Sequence, residues 1–222
     1  MPNFSPVPCF LKQRWQVEAQ VVTPFFFEMG KQIRGPAHTI LPLINNGRLI
    51  RKNTRNSFAK LMTCRYVTAN PLDDLYGVEY AAVMKNIIAL ACGITHGLGY
   101  GDNFQAVLVS NAMQEIGNFV TALDPRERNM SSSAYLGDLL VTAYSQFSRN
   151  RLFGNMIGRG YSVKAAQLEM KMIAEGYYAT KSITEMNKIH HVSLPITNAV
   201  HRILYEEQAP GMVMDELKKL LK

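Results

Sequence analysis

A lysine, an aspartate and a Ser-Arg-Asn turn are the residues of this chain whose types and spacing could do chemistry together. Lys85 is the last residue but one of the run GVEYAAVMKN, residues 77 to 86, four positions after Ala81 and seven after Val78 on one helical stripe. An ammonium on an otherwise apolar face is either desolvated or aimed into a cavity. Desolvation disfavours its charged form and suits it to give and take a proton near neutral pH. The plainer reading is a lysine reaching past a helix edge to water. Asp138 is embedded between Leu136, Leu139 and Leu140, where an acid needs a partner, and Thr142 shares its face four positions on. In Ser148-Arg149-Asn150-Arg151, the serine could cap a helix whose free N–H groups, with Arg149 and Asn150, hold a phosphate. An ordinary cap with two solvated arginines fits the same four residues. Glu175-Gly176, ahead of Tyr177 and Tyr178, reads as a helix C-terminus.

Other chemistries lack their residues. His190 and His191 adjoin a helix end, His96 lies among glycines and His201 stands alone, so no metal-ligand spacing arises and none is expected. Cys9, Cys64 and Cys92 are too few and too widely spaced for a disulfide framework or a zinc site, which points to a reducing, cytoplasmic setting. No Ser-His-Asp arrangement or Walker loop occurs. Gly158-Arg159-Gly160 continues to Ser162 and Val163 without a preceding strand, so it is no dinucleotide loop.

The elements that must position these groups are helices. Val78, Ala81, Ala82, Ile88 and Ala89 keep 3.6-residue spacing with Lys85. The pattern predicts further helices over Phe104–Val120, Ala134–Tyr144, Val163–Ala174 behind an N-cap at Ser162, Ile183–Ile189, Ile196–Tyr205 and Val213–Leu221. Glycines 93, 97, 99 and 101 are expected to form the loop between the first two. The result is one compact, mainly α domain of about seven helices.

The chain has 222 residues, 47% hydrophobic and 18% charged, which excludes wholesale disorder and bounds it to one domain or one and a half. No uninterrupted apolar run reaches the roughly 18 residues of a membrane span, and the first ten residues lack a signal-peptide layout. Net charge is +7. Residues 1–65 hold ten Lys or Arg against Glu18 and Glu28, a balance of +8, together with six of the ten prolines; residues 66–222 balance at −1. The basic segment lacks the interleaved aromatics of a nucleic-acid surface, which argues against that partner. Within it, QVEAQVVTPFFFEM could supply a strand interrupted by Pro24, and HTILPLINNGRLI a hairpin turning at Asn46-Gly47.

Five ordered motifs, GVEYAAVMKN, ITHGLGYGDN, LGDLLVTAYSQFSRNRLFG, IAEGYYATK and LPITNAVHRILYE, resemble the C-terminal substrate domain of NAD(P)-dependent glycerol-3-phosphate dehydrogenase, in the version found in Bacteroides-type bacteria. The resemblance implies a multi-helix fold like the C-terminal domain of 6-phosphogluconate-dehydrogenase-like enzymes, with a short α/β remnant before it. It runs over residues 65–221 and sets three parts. Residues 1–56 are an atypical basic, proline-rich segment, residues 57–76 the last helix and strand of a nucleotide-binding domain, and residues 77–222 the all-α domain. It implies reversible hydride transfer between NAD or NADP and C2 of glycerol 3-phosphate or dihydroxyacetone phosphate. Lys85 matches the proton-transferring lysine, with Asn86 beside it. Asp138 and Thr142 match residues near that lysine and the substrate hydroxyls. Ser148, Arg149 and Asn150 match the phosphate-gripping turn, and Arg149, Ile173 and Glu175 match positions near the dinucleotide. The family's glycine-rich pyrophosphate loop has no counterpart in residues 1–53, so the chain is expected to be a truncated or misread product with a foreign start. The competing expectation is a non-catalytic helical domain that dimerises or docks to a partner; apolar faces in excess of what one helical layer buries point to a homodimer.

Overall fold

The computed structural model describes residues 37–40, 44–45, 48–49, 52–65, 67–170, 172 and 174–222. The chain divides into two units, Met1–Asp73 and Asp74–Lys222. In the first, β1 (Ala37–Ile40) lies parallel to β4 (Val67–Asn70), with Ala37 opposite Val67. Parallel neighbours need a crossover, and α1 (Lys52–Met62) leads into β4 to provide it. Between β1 and α1, β2 (Ile44–Asn45) and β3 (Arg48–Leu49) pair antiparallel across the two positions of Asn46-Gly47, the spacing expected for an Asn-Gly hairpin. The run HTI, read as part of one flank of that hairpin, instead lies in β1 and partners β4. Thr63 ties α1 to β4: its hydroxyl donates to Ala59 O at 2.8 Å and accepts from Ala69 N at 3.2 Å. The strand expected in QVEAQVVTPFFFEM lies outside the described residues.

The second unit is built around α2 (Leu75–Gly97), against which α3 (Asp102–Leu123), α4 (Asp138–Tyr144), α5 (Arg149–Gly158), α7 (Glu175–His190) and α8 (Pro195–Tyr205) pack. The start of α2 is set by Asp74, whose carboxylate accepts from Gly77 N at 2.9 Å. Its middle stretch, residues 87–94, is apolar and buried on every side, with Ile87, Ile88, Leu90 and Ile94 fully buried. Among the described residues α2 is the helix long and apolar enough to cross a membrane, yet 72% of that stretch is buried inside the protein, as befits a core helix.

Gly93 and Gly97, expected in a loop, sit inside α2. A methyl on Gly93 would lie 2.1 Å from Arg151 O, one on Gly97 2.4 Å from Asn155 O, and one on Gly154 2.1 Å from Leu90 O. The glycines therefore let α2 and α5 touch backbone to backbone. The loop proper is short and uses a positive φ at Gly99. A single π-helical turn, Ser133–Gly137, precedes α4. Ser162 caps α6 (Val163–Glu169) by accepting from Ala165 N at 3.2 Å, and the helix stops at Glu169, short of the expected Ala174. A further correction concerns Glu175-Gly176, which opens α7 where the sequence suggested a helix end. α9 (Pro210–Leu217) closes the unit.

Candidate active site

Lys85 projects from the third turn of α2 and Asp138 from the first residue of α4. The Lys85 ammonium donates to both carboxylate oxygens of Asp138, at 2.7 and 2.6 Å. The side chains are 22% and 31% exposed, so the pair is half-sheltered with one side open to solvent. An ammonium lodged there needs a counter-charge, and Asp138 supplies it. Thr142 shares the Asp138 face, but its hydroxyl donates to the Asp138 carbonyl at 2.8 Å.

Asn86 connects this pair to the Ser-Arg-Asn corner. Its Oδ1 accepts from Asn150 Nδ2 at 3.0 Å, and Asn150 Oδ1 accepts from Gly176 N at 2.8 Å. Both asparagines and Gly176 are buried, so one amide chain pins α2, the start of α5 and the start of α7 together. The Asn150 side chain is thus occupied within the protein. Ser148 caps α5, accepting from Arg151 N at 3.3 Å, while Leu152 N donates to Ser148 O. That leaves the α5 N–H groups of Arg149 and Asn150 without a partner among the described residues, at the positive end of a ten-residue helix where an anion is favoured.

Arg149 and Glu175 face each other loosely at 3.9 Å, both nearly half exposed, and the Arg149 guanidinium also donates to Met172 Sδ at 3.4 Å. Ile173 lies outside the described residues. A pair so exposed and so long opens at little cost. Both side chains therefore present polar groups to solvent beside the corner.

Sequence reasoning missed three supporting groups. Asp74 caps α2 and is held by Arg128, Nε to Oδ2 at 2.6 Å and Nη2 to Oδ1 at 3.1 Å, while Arg128 itself is 3% exposed. Burial alone would raise the Asp74 carboxyl, but hydrogen bonds from Arg128, Tyr135 and Gly77 outweigh it and hold the group below its ordinary range. An Asp three residues ahead of Gly77 is a readable cap signal. Glu115, on the buried face of α3, accepts from Ile196 N (2.8 Å), Thr197 N (3.0 Å) and Thr197 Oγ1 (2.6 Å), capping α8 in place of its own Leu194. Burial pushes its carboxyl up, more than those three bonds pull it down. Its signal, a charge inside an apolar stripe, is the one that identified Lys85. Gly176 is the third: a methyl there would lie 2.6 Å from Asn86 O.

Comparison with known proteins is consistent across sequence and structure. Residues 74–215 match the family described as NAD-dependent glycerol-3-phosphate dehydrogenase, C-terminus. A glycerol-3-phosphate dehydrogenase [NAD(P)+] of Salinibacter ruber is 42% identical over 144 residues, which are 65% of this chain and 42% of the relative. One from Clostridium botulinum is 39% identical over 165 residues, 74% of this chain and 50% of the relative. The chain thus spans about half the length of the curated relatives it matches. The crystal structure of the Coxiella burnetii glycerol-3-phosphate dehydrogenase superposes with a TM-score of 0.75 at 31% identity, covering 82% of this chain and 55% of that one. A yeast glycerol-3-phosphate dehydrogenase, 22% identical with a TM-score of 0.69, has the same fold.

Proposed function

Because the chain belongs to the NAD-dependent glycerol-3-phosphate dehydrogenase family, through the C-terminal domain that its residues 74–215 match, we propose that it supplies the substrate half of a site for interconverting glycerol 3-phosphate and dihydroxyacetone phosphate with NAD or NADP. The observation that carries this is the continuous chain of contacts from Lys85–Asp138 through Asn86 and Asn150 to the α5 N-terminus. It offers a proton-handling ammonium at one end and an anion seat at the other.

In this reading the phosphate sits at the free N–H groups of Arg149 and Asn150, near the Ser148 cap and the Arg149 guanidinium. Binding energy from that remote end orients C2 toward Lys85. Lys85 Nζ gives a proton to the C2 oxygen in one direction and takes it in the other, and Asp138 keeps the ammonium pointed at that oxygen. Thr142, its hydroxyl turned to its own helix, shapes the wall beside Asp138. The dinucleotide, when bound, provides or accepts the hydride. Arg149, Glu175 and Ile173 form the chain's share of its seat, and β1, α1 and β4 are the closing part of a nucleotide-binding domain. A cytoplasmic setting suits the free thiols of Cys64 and Cys92, and exposed Phe147 and Leu168 offer apolar area for a homodimer.

Calorimetric titration of the full chain with glycerol 3-phosphate tests the reading. Binding should weaken about tenfold or more in Arg149→Met, as expected for losing a charge-assisted contact to phosphate. Absence of binding by the unaltered chain, or equal affinity in Arg149→Met, would overturn it.

A further inference from the structure

We propose that Tyr135 is a positioning residue for the Lys85–Asp138 pair: its hydroxyl, bonded to the Asp74 cap of α2, holds the π-helical turn that aims Asp138 at Lys85. This rests on the reading of that pair as the proton-handling end of the site.

Four observations converge. The turn Ser133–Gly137 runs directly into α4, and the backbone N–H of Asp138 donates to the carbonyls of Ser133 and Tyr135, so Asp138 is set by the turn's geometry. The Tyr135 ring is 5% exposed and its hydroxyl donates to Asp74 Oδ2 in a short bond. Asp74 is itself fixed, receiving Gly77 N and the fork of Arg128, which is tied back to the Asp124 carbonyl at 2.7 Å and carboxylate at 2.8 Å. Lastly, Gly77 makes room for the contact, since a methyl there would lie 2.2 Å from Asp74 Oδ2 and 2.6 Å from the Tyr135 hydroxyl oxygen.

Asp74 caps the helix that carries Lys85, and Tyr135 lies in the turn that ends at Asp138. The two side-chain bonds therefore tie one pair of segments at two points. A π turn carries one residue more than an α turn and persists only where tertiary contacts outweigh its poorer bonding. Released from Asp74, the turn can relax toward α-helical winding. Each residue of slip rotates the downstream helix by about 100°, which takes the Asp138 carboxylate off Lys85.

The test uses the full chain with 15N-labelled lysine, following solvent exchange of the Lys85 ammonium protons, assigned by their loss in Lys85→Arg. Held by two carboxylate oxygens, they should exchange slowly, and in Tyr135→Phe about tenfold faster, the change expected for loss of a charge-assisted hydrogen bond. Gly77→Ala, which keeps the phenol but wedges the contact apart, should act likewise. Circular dichroism verifies the fold in each. Unchanged Lys85 exchange in the folded variants overturns the proposal, as does unfolding of both, which would make Tyr135 a residue of the core and not of the pair. A ligand comparison separates this from the function itself. Tyr135→Phe should weaken glycerol 3-phosphate about tenfold while leaving inorganic phosphate, which reaches only the α5 end, unchanged; equal weakening of both overturns the positioning role. If the unaltered chain binds neither ligand, the proposed function fails while the exchange result still decides the clamp.

Discussion

One ammonium satisfying two oxygens of one carboxylate is a geometry that does more for orientation than for stability. At 22% and 31% exposure, Lys85 and Asp138 sit between a surface pair, which contributes little, and a buried one, whose rupture is severe. Asp138→Ala strands the ammonium against apolar neighbours and should cost about 1–2 kcal/mol in urea unfolding. Lys85→Met should cost less, because the more exposed Asp138 carboxylate can be hydrated where it stands. The double variant should recover part of the loss, with a coupling of about 1 kcal/mol; strictly additive costs would mean that the pair orients without stabilising. Both residues were legible in the sequence because a charge within an apolar stripe demands an explanation. Glu115 obeys the same rule, with Leu108, Ala112 and Phe119 buried on its face. What the rule leaves out is the partner: that Lys85 meets Asp138, while Glu115 meets two backbone N–H groups, depends on how helices cross.

The crossing of α2 and α5 is where element-level reading ran short. Gly93, Gly97, Gly154 and Gly158 repeat at four-residue spacing on both helices, a small-residue seam that permits close packing. Local propensity nevertheless assigns glycine to loops, and Gly93 and Gly97 read that way. The same bias makes Glu175-Gly176 read as a helix end. That glycine is required by its approach to Asn86 O, a tertiary cause that no window of sequence contains. Helix existence, by contrast, was readable for α2, α3, α8 and the caps Ser148 and Ser162, since apolar period and capping chemistry act locally. The seam predicts a sharp contrast. Gly154→Ala sets a methyl 2.1 Å from Leu90 O, and because the obstacle is backbone the helices must separate. The cost should be about 2–3 kcal/mol in denaturant, with Asn150, one turn earlier, pulled from Asn86. Gly117→Ala on α3 meets only the flexible end of Met130 at 3.6 Å and should be neutral or stabilise by up to about 1 kcal/mol through helix propensity.

Across the helical unit, two inward carboxylates give stability opposite dependences on pH. Glu115 is raised above the ordinary glutamate value of 4.5 by burial. As pH falls from neutral the folded state therefore takes up a proton before the unfolded state does, and stability rises as pH approaches 4.5. Asp74 is held below the ordinary 3.8 by Arg128, Tyr135 and Gly77 against the opposing effect of burial. Its contribution is complete above 3.8 and is lost as pH falls through the lower folded value. The two act on different joints of the framework, one joining α3 to α8 and the other joining α2 to the π turn and the loop after α3. Chemical denaturation at a series of pH values should therefore give a maximum in the weakly acidic range and a steep fall below 3.8. Glu115→Gln should flatten the rise on the neutral side and leave the acid limb in place. Asp74→Asn should lower stability at neutral pH and make the acid limb shallower. A profile in which Glu115→Gln alters only the acid limb would place the raised carboxylate elsewhere, and one in which Asp74→Asn leaves the acid limb unchanged would show that the Arg128 fork carries no linkage to protons.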